Sequence, residues 1–454
     1  MLRAVWLVAG FVLSSPVASQ QWWVHEKLLE NVGWAVAPGW PHRYSYINAN
    51  GTAAFTVQQP GGFFEVFRNS HSISGEVGGI SGLAEGLNEA GQVAWGGGGH
   101  VWVDAVRISD GLIHTPTGYS LSVSGPTADG RPFWSVIYGT PVQGYDDEAY
   151  LGRESLEVAS LLGANREVWQ RDVNSAGEVL WAGKGDAVGS FKVFRNRENL
   201  TAKVFTDRRA TGEAVDINER GQVLWNGAAG PGSLWRVYVD ETRLPNQDQL
   251  LGGGGSAGGR ALNDRGDVLW DGGGQATNNF PDVFLNGTNL SRPFYGSRWH
   301  QTLGYYLSEN GHAVWQGVGD LGDGPNNWDV FVNSTCLSQS VLGANRREVK
   351  PSGVDNAGNV LWHGYGQATD GIKQVFVNQF NLSADARGGI YRNAYALAMG
   401  PNGHVLWADY DEYYRFDVWL STPVPEPGAM LALPAGLALL ALCSRRRAVS
   451  DRRG

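Results

Sequence analysis

The sequence predicts an all-β fold, a β-propeller of about nine repeats of ~45 residues (eight to nine blades), on three observations. A glycine-centred motif recurs nine times along the chain, and a second apolar motif follows each copy. No stretch between the two ends shows a sustained helical period.

The clearest copies of the first motif are LNEAGQVAWGG (87–97), VNSAGEVLWAG (173–183), INERGQVLWNG (217–227) and LNDRGDVLWDG (262–272). LSENGHAVWQG (307–317), VDNAGNVLWHG (354–364) and MGPNGHVLWAD (399–409) continue the series, and INANGTAAFTV (47–57) and TADGRPFWSV (127–136) are weaker copies. The marker glycines Gly51, Gly91, Gly130, Gly177, Gly221, Gly266, Gly311, Gly358 and Gly403 are spaced by 40, 39, 47, 44, 45, 45, 47 and 45 residues. An Asn or Asp three residues before the Gly bonds its own backbone and opens a tight turn, and the Gly takes the positive φ that closes a hairpin with a bulge. The Val-Leu-Trp that follows favours a strand apolar on both faces, as in a sheet sandwiched between two others.

The second motif reads KVFRN (192–196), DVFLN (282–286) or QVFVN (374–378), with EAYLG (148–152) in its place in the third unit. A short third element often follows, as in NLT (199–201) and NLS (289–291, 381–383). The strings LGANREV (162–168) and LGANRREV (342–349) point to duplication. Four strands fit one unit, expected at 213–217, 221–226, 234–239 and 242–245. The last unit stops at Ser421 after its third strand, and Val24–Leu29 stands where a missing fourth strand would complete the ring. An open β-solenoid, or an eight-bladed ring with an irregular third unit, fits the same spacing less fully.

The ends lie outside this domain, expected at 20–421. Residues 1–19 carry Arg3, an apolar stretch and a small-residue site, the pattern of a signal peptide cleaved after Ser19. In residues 422–454, Pro425-Glu426-Pro427 precedes an apolar run from Gly428 to Cys443, a short transmembrane span, and then Arg445, Arg446 and Arg447. This order resembles the PEP-CTERM sorting signal. The resemblance implies that an exosortase, an integral-membrane cysteine protease, processes the chain near Pro425, Glu426 and Pro427 during export, with the Arg cluster as the retention element. It also implies a product of the cell envelope or outer surface, anchored transiently in the inner membrane.

Without Arg3, Arg445, Arg446, Arg447, Arg452, Arg453 and Asp451, the exported part holds 29 basic against 43 acidic side chains, a net charge of −14. Such a surface repels nucleic acid and anionic lipid. Its one cysteine, Cys336, allows no internal disulfide, so packing must hold the fold.

The nineteen Trp residues raise the question of sugar stacking. Trp95, Trp134, Trp181, Trp225, Trp270, Trp315, Trp362 and Trp407 share one repeat position and read as core. The aromatics outside the repeat, Trp299, Trp328, Tyr305, Tyr306, Tyr413 and Tyr414, are the better ligand candidates. Asp320, Asp323, Asn326 and Asp329 in GDLGDGPNNWD (319–329) are oxygen ligands of the kind calcium takes, though without a known loop spacing, and no other cofactor is expected. The sequons at Asn50, Asn199, Asn286, Asn289, Asn333 and Asn381 read as turn residues. No HExxH and no nucleophile elbow occurs; His25, His42, His300 and His363 are scattered, and the acid pairs Asp146-Asp147 and Asp411-Glu412 read as solvated. The expected function is non-catalytic: a surface-displayed or matrix-associated protein whose partners are an extracellular polysaccharide or a surface protein. The alternative is a secreted glycan-active hydrolase or lyase, which would gather acidic or His side chains at the channel.

Overall fold

In the computed structural model the described residues are 22–32, 44–59, 61–113, 119–140, 144–319, 327–389, 392–411 and 415–424. They fall in two compact units, residues 26–420 and the end segments 1–25 with 421–454. In the unit of end segments, His25 Nδ1 lies 2.8 Å from Ser421 Oγ.

The repeats build a nine-bladed β-propeller, with nine antiparallel sheets of four or five strands each. In blade 5 the strands are Thr211–Ile217, Val223–Ala228, Arg236–Val239 and Thr242–Arg243, within two residues of expectation at every start. The third unit is a full blade. Its third strand is Glu148–Leu151, and an extra strand, Gly144–Tyr145, pairs beside it on Pro132–Thr140.

Closure follows the expected route. Blade 9 has the order Trp22–Val32, Phe416–Val424, Val405–Tyr410, Asn393–Met399, so an N-terminal strand supplies the fourth position. Lys27 Nζ sits 3.1 Å from Asp417 Oδ2 and 4.9 Å over the Trp419 ring. The last strand runs to Val424, three residues past the expected boundary at Ser421.

The turn motif does more than turn. Asn218 Oδ1 accepts from the amides of Arg220 (3.1 Å) and Gln222 (2.9 Å), and Gly221 closes the turn at φ 75°. The same side chain also donates from Nδ2 to the Asn263 carbonyl of blade 6 (2.9 Å), and Asn263 donates onward to Ser308 of blade 7 (3.0 Å). Asn48, Asn88 and Asn174 reach forward in the same way. The residue after each Asn continues the chain of contacts: the Glu219 amide donates to Asp264, and the Asp264 amide to Glu309 (both 2.8 Å). Backbone groups at this turn end of the ring are thereby paired between blades.

All eight repeat Trp residues are fully buried. Each stacks on the aromatic side chain of its blade's third strand, as Trp181 on Phe194 (4.1 Å) and Trp315 on Phe331 (3.9 Å). The Asn ending the second motif adopts positive φ, and its carbonyl takes the indole N–H, as in Trp362 to Asn378 (2.6 Å).

The third element is a helix cap, which the strand-only reading missed. Asn199 caps Leu200–Val204 by accepting from Ala202 N (2.9 Å), Leu200 enters the core, and Thr201 Oγ1 accepts from Val193 N (2.9 Å). Asn381-Leu382-Ser383 repeats these bonds. Helices of four to six residues thus carry the crossovers between blades.

Among the described residues no helix is long and apolar enough to cross a membrane. The signal peptide with Ser19, the triplet Pro425-Glu426-Pro427, the run Gly428–Cys443 and Arg445–Arg447 lie outside the described residues.

Candidate functional site

The innermost strand of a blade runs from the crossover end to the turn end of the ring, and most carry an irregularity that the repeat pattern did not announce. Pairing register slips at Glu85, Arg171, Val215, Arg260, Tyr305, Ser352 and Leu397. A bulge of this kind re-aims a side chain. All seven bulge residues line one central cavity of about 1180 Å³, together with their neighbours toward the turn end. One wall is polar, with Arg171, Asp172, Asp216, Arg260 and Tyr305; the opposite wall has Val354, Leu397, Ala398, Met399 and Ile47.

The chemistry concentrates on blades 4 and 5. The Asp172 and Asp216 carboxyls, on the innermost strands of adjacent blades, are within hydrogen-bonding reach of each other. Asp216 Oδ2 also accepts from Leu262 N and Asp172 Oδ1 from Val173 N (both 2.8 Å). Burial pushes both carboxyls above the usual carboxylate range; for Asp172 the Asp216 charge adds to this, while Arg171 opposes it in both. Arg171 Nε is held by the Val215 carbonyl (2.7 Å). Arg260 is neutralised by a two-pronged contact with Asp271 (2.6 and 3.1 Å).

The sign of the pH effect follows from these raised values. Both carboxyls hold a proton more tightly in the fold than in the unfolded chain, so the pair favours folding most at low pH. That contribution is lost as pH rises through the raised pKa. Asp172→Asn keeps a donor for Asp216 without titrating. Thermal melts between about pH 4 and 8 should therefore show a smaller loss of stability for the variant than for the parent. Parallel curves would mean that burial does not raise the proton affinity of the pair.

Of the expected ligand aromatics, Tyr305 and Tyr306 line the channel, and the Tyr305 hydroxyl donates to Gln316 (2.9 Å). Trp299 and Trp328 are exposed on blade 7, far from the turns. Tyr413 and Tyr414 lie outside the described residues, as do Asp320, Asp323 and Asn326. Asp329 is fully buried and already engaged. Arg346 contacts it at 2.7 and 3.0 Å, and the Ser338 hydroxyl donates at 2.6 Å. Arg346 also reaches the Gly343 carbonyl (2.6 Å) as Arg166 reaches that of Gly163 (3.1 Å), which is what the duplicated LGANR string builds.

Two expectations about polar residues are corrected. Asp146 and Asp147 are not a solvated pair: Asp147 is fully buried, accepts from Val168 N (2.8 Å), and burial lifts its carboxyl to about 6. His300 is not merely scattered, for it lies 2.8 Å from Asp282 Oδ1, which also accepts from Ser291 Oγ (2.9 Å). The three residue types are those of a nucleophilic triad, but the carboxylate sits between Ser and His and all three are buried. The serine has no base, so this trio is structural. The sequons at Asn199, Asn286, Asn289 and Asn381 are bound up in caps and turns through their own side chains.

The fold and the channel define a nine-bladed β-propeller with a ligand-sized central cavity. No family model matches the chain, and no curated protein matches it. Among solved structures it is similar to Trypanosoma rangeli sialidase in complex with sialic acid, with 9% identity, a TM-score of 0.26 and 92% of this chain covered. A covalent intermediate of the same sialidase with 2,3-difluorosialic acid aligns at 10% identity and a TM-score of 0.25 over 88% of this chain. The chain spans 61% and 58% of those two chains. Similarity this low carries no argument about this chain, and no residue role is taken from it.

Proposed function

We propose that this is an exported, surface-displayed, non-catalytic protein of the extracellular polysaccharide layer, processed by an exosortase at its C-terminal tail. One observation carries the reading: the last strand of the ninth blade ends at Val424, and the Pro-Glu-Pro triplet begins at the next residue. A complete domain followed at once by a sorting element needs no tail for its own stability. Residues 1–19 would direct export, and Arg445–Arg447 would hold the span Gly428–Cys443 until the cut. No cofactor and no cation enters this reading, and the net charge of −14 on the exported part argues against nucleic acid.

The channel carboxyls support binding rather than hydrolysis. Glycosidases separate their two carboxyl groups by about 5 to 9.5 Å to admit a sugar and a water. Asp172 and Asp216 are within hydrogen-bonding reach of each other, closer than that separation. The alternative, a glycan-active hydrolase or lyase, is favoured by the raised pKa of Asp172 inside a large cavity. Incubating the exported domain with polysaccharide extracted from the producer's own matrix separates the two. Retention of the protein on an unshortened polymer is the expected outcome. Polymer shortening that disappears in Asp172→Asn would establish the enzyme instead.

A further inference from the structure

The two ends of the ring differ in chemistry. In each blade the first strand leads to the turn end, so connections between strands two and three, and crossovers between blades, all lie at the other end. Among the described residues of 26–420, the exposed large apolar side chains are Phe63, Val106, Trp169, Leu234, Trp299 and Trp328. Phe63 and Leu234 stand in connections between strands two and three. Trp328 is the second residue of a third strand, Trp299 precedes a first strand, and Trp169 is near the start of another. All five are at the crossover end. Val106, which opens a fourth strand, is alone at the turn end, where Glu219, Asp264 and Glu309 are spent on inter-blade hydrogen bonds.

Trp169 is the best built of these. Its residue surface is 55% exposed, yet its orientation is held by two contacts, which a third side chain braces. The indole Nε1 donates to Glu167 Oε1 (2.8 Å), and the ring packs on Phe191 with centroids 4.2 Å apart. Lys184 pairs with Glu167 (2.6 Å) and lies 4.9 Å over the same Phe191 ring. An exposed indole fixed in place, with a carboxylate and an ammonium beside it, has an apolar plate and hydrogen-bonding groups at one spot.

We propose that the crossover end is a polysaccharide-stacking face, with Trp169 as its principal platform for a pyranose ring. The proposal rests on the polysaccharide reading above and names the surface that would do the binding. The positive edge of a sugar's C–H groups meets the negative face of the indole, and Glu167 and Lys184 are placed to bond flanking hydroxyls. A protein partner fits less well. Stable protein interfaces need roughly 800 Å² per side with a contiguous apolar centre, whereas these side chains stand on blades 1, 4, 5 and 7, one or two per blade. A long polymer meets such platforms one at a time.

The test is affinity of the exported domain for polysaccharide extracted from the producer's matrix, with circular dichroism melts on every variant. Trp169→Ala should weaken binding roughly ten-fold with its melt unchanged, because an exposed ring contributes little packing. Trp169→Phe should recover part of the affinity, and Val106→Ala at the turn end should bind as the parent does. If Trp169→Ala loses stability, Trp299→Ala replaces it with the same expectation. Parental affinity in Trp169→Ala and Trp299→Ala, with binding abolished by Arg171→Ala, would place the ligand in the channel and overturn the stacking face while leaving polysaccharide binding intact. A parent domain that binds no matrix polysaccharide would end both the face and the function it rests on.

Discussion

Trp270→Ala is expected to cost roughly 3–5 kcal/mol of stability, the range for a large aromatic removed from a core. Trp270 is fully buried, stacks on Phe284 at 4.2 Å, and donates its indole N–H to the Asn286 carbonyl at 2.6 Å. Truncation would remove the stack, open a cavity between blades 5 and 6, and strand that carbonyl. Asn286 is itself held in the left-handed region and accepts from Val268 N (2.8 Å), so the loss reaches the hairpin between strands three and four. Trp270→Phe keeps an aromatic stack and loses the hydrogen bond; its cost should be nearer about 1–3 kcal/mol. Denaturant titration of both variants measures the two contributions. A Trp270→Ala protein that kept full stability but lost polysaccharide binding would move this tryptophan from the core to a ligand site.

The second large effect concerns the tail. Changing Pro425, Glu426 and Pro427 to Ala, with the apolar run and Arg cluster intact, should leave full-length protein in the inner membrane. Burying some sixteen apolar residues outweighs the cost of ordering them, so release requires a cut on the outer side of the run. The triplet is the only distinctive sequence on that side. Because the last strand runs to Val424, a truncation meant to release a folded domain should begin at Pro425 rather than at Thr422. That protein should be soluble and retain the parental melt. Mass spectrometry of the mature C-terminus decides the matter: surface material still carrying Arg445–Arg447 would make the tail a plain anchor.

Much of the architecture was legible because it is local and repeated. A glycine at positive φ, an Asn three residues before it and a Val-Leu-Trp run after it each act within a few residues, and nine copies make the period unmistakable. Ring closure was legible from arithmetic, since one strand was missing at one end and spare at the other. The buried Trp series followed from its constant place in the repeat.

What pairs positions from different blades was not. Asp172 and Asp216 meet only because adjacent innermost strands face one channel, and a register slip of one residue decides which side chain points into it. Nothing in the spacing of the two sequences distinguishes Asp172 from its neighbours. Where the turn has an Asn, its sequence role is that of a local turn former, yet a second hydrogen bond takes it to a carbonyl one blade away, as from Asn218 to Asn263. Trp169 carries no signature in the sequence, because LGANREV ends just before it and its counterpart after the second copy is Lys350. By itself the sequence determined the repeat, a ring of eight to nine blades, its closing strand and the core, which depend on backbone geometry and burial over short stretches, and the structure decided for nine. Only the tertiary structure decided the channel lining and the aromatic end, because both depend on which distant side chains the ring brings to one surface.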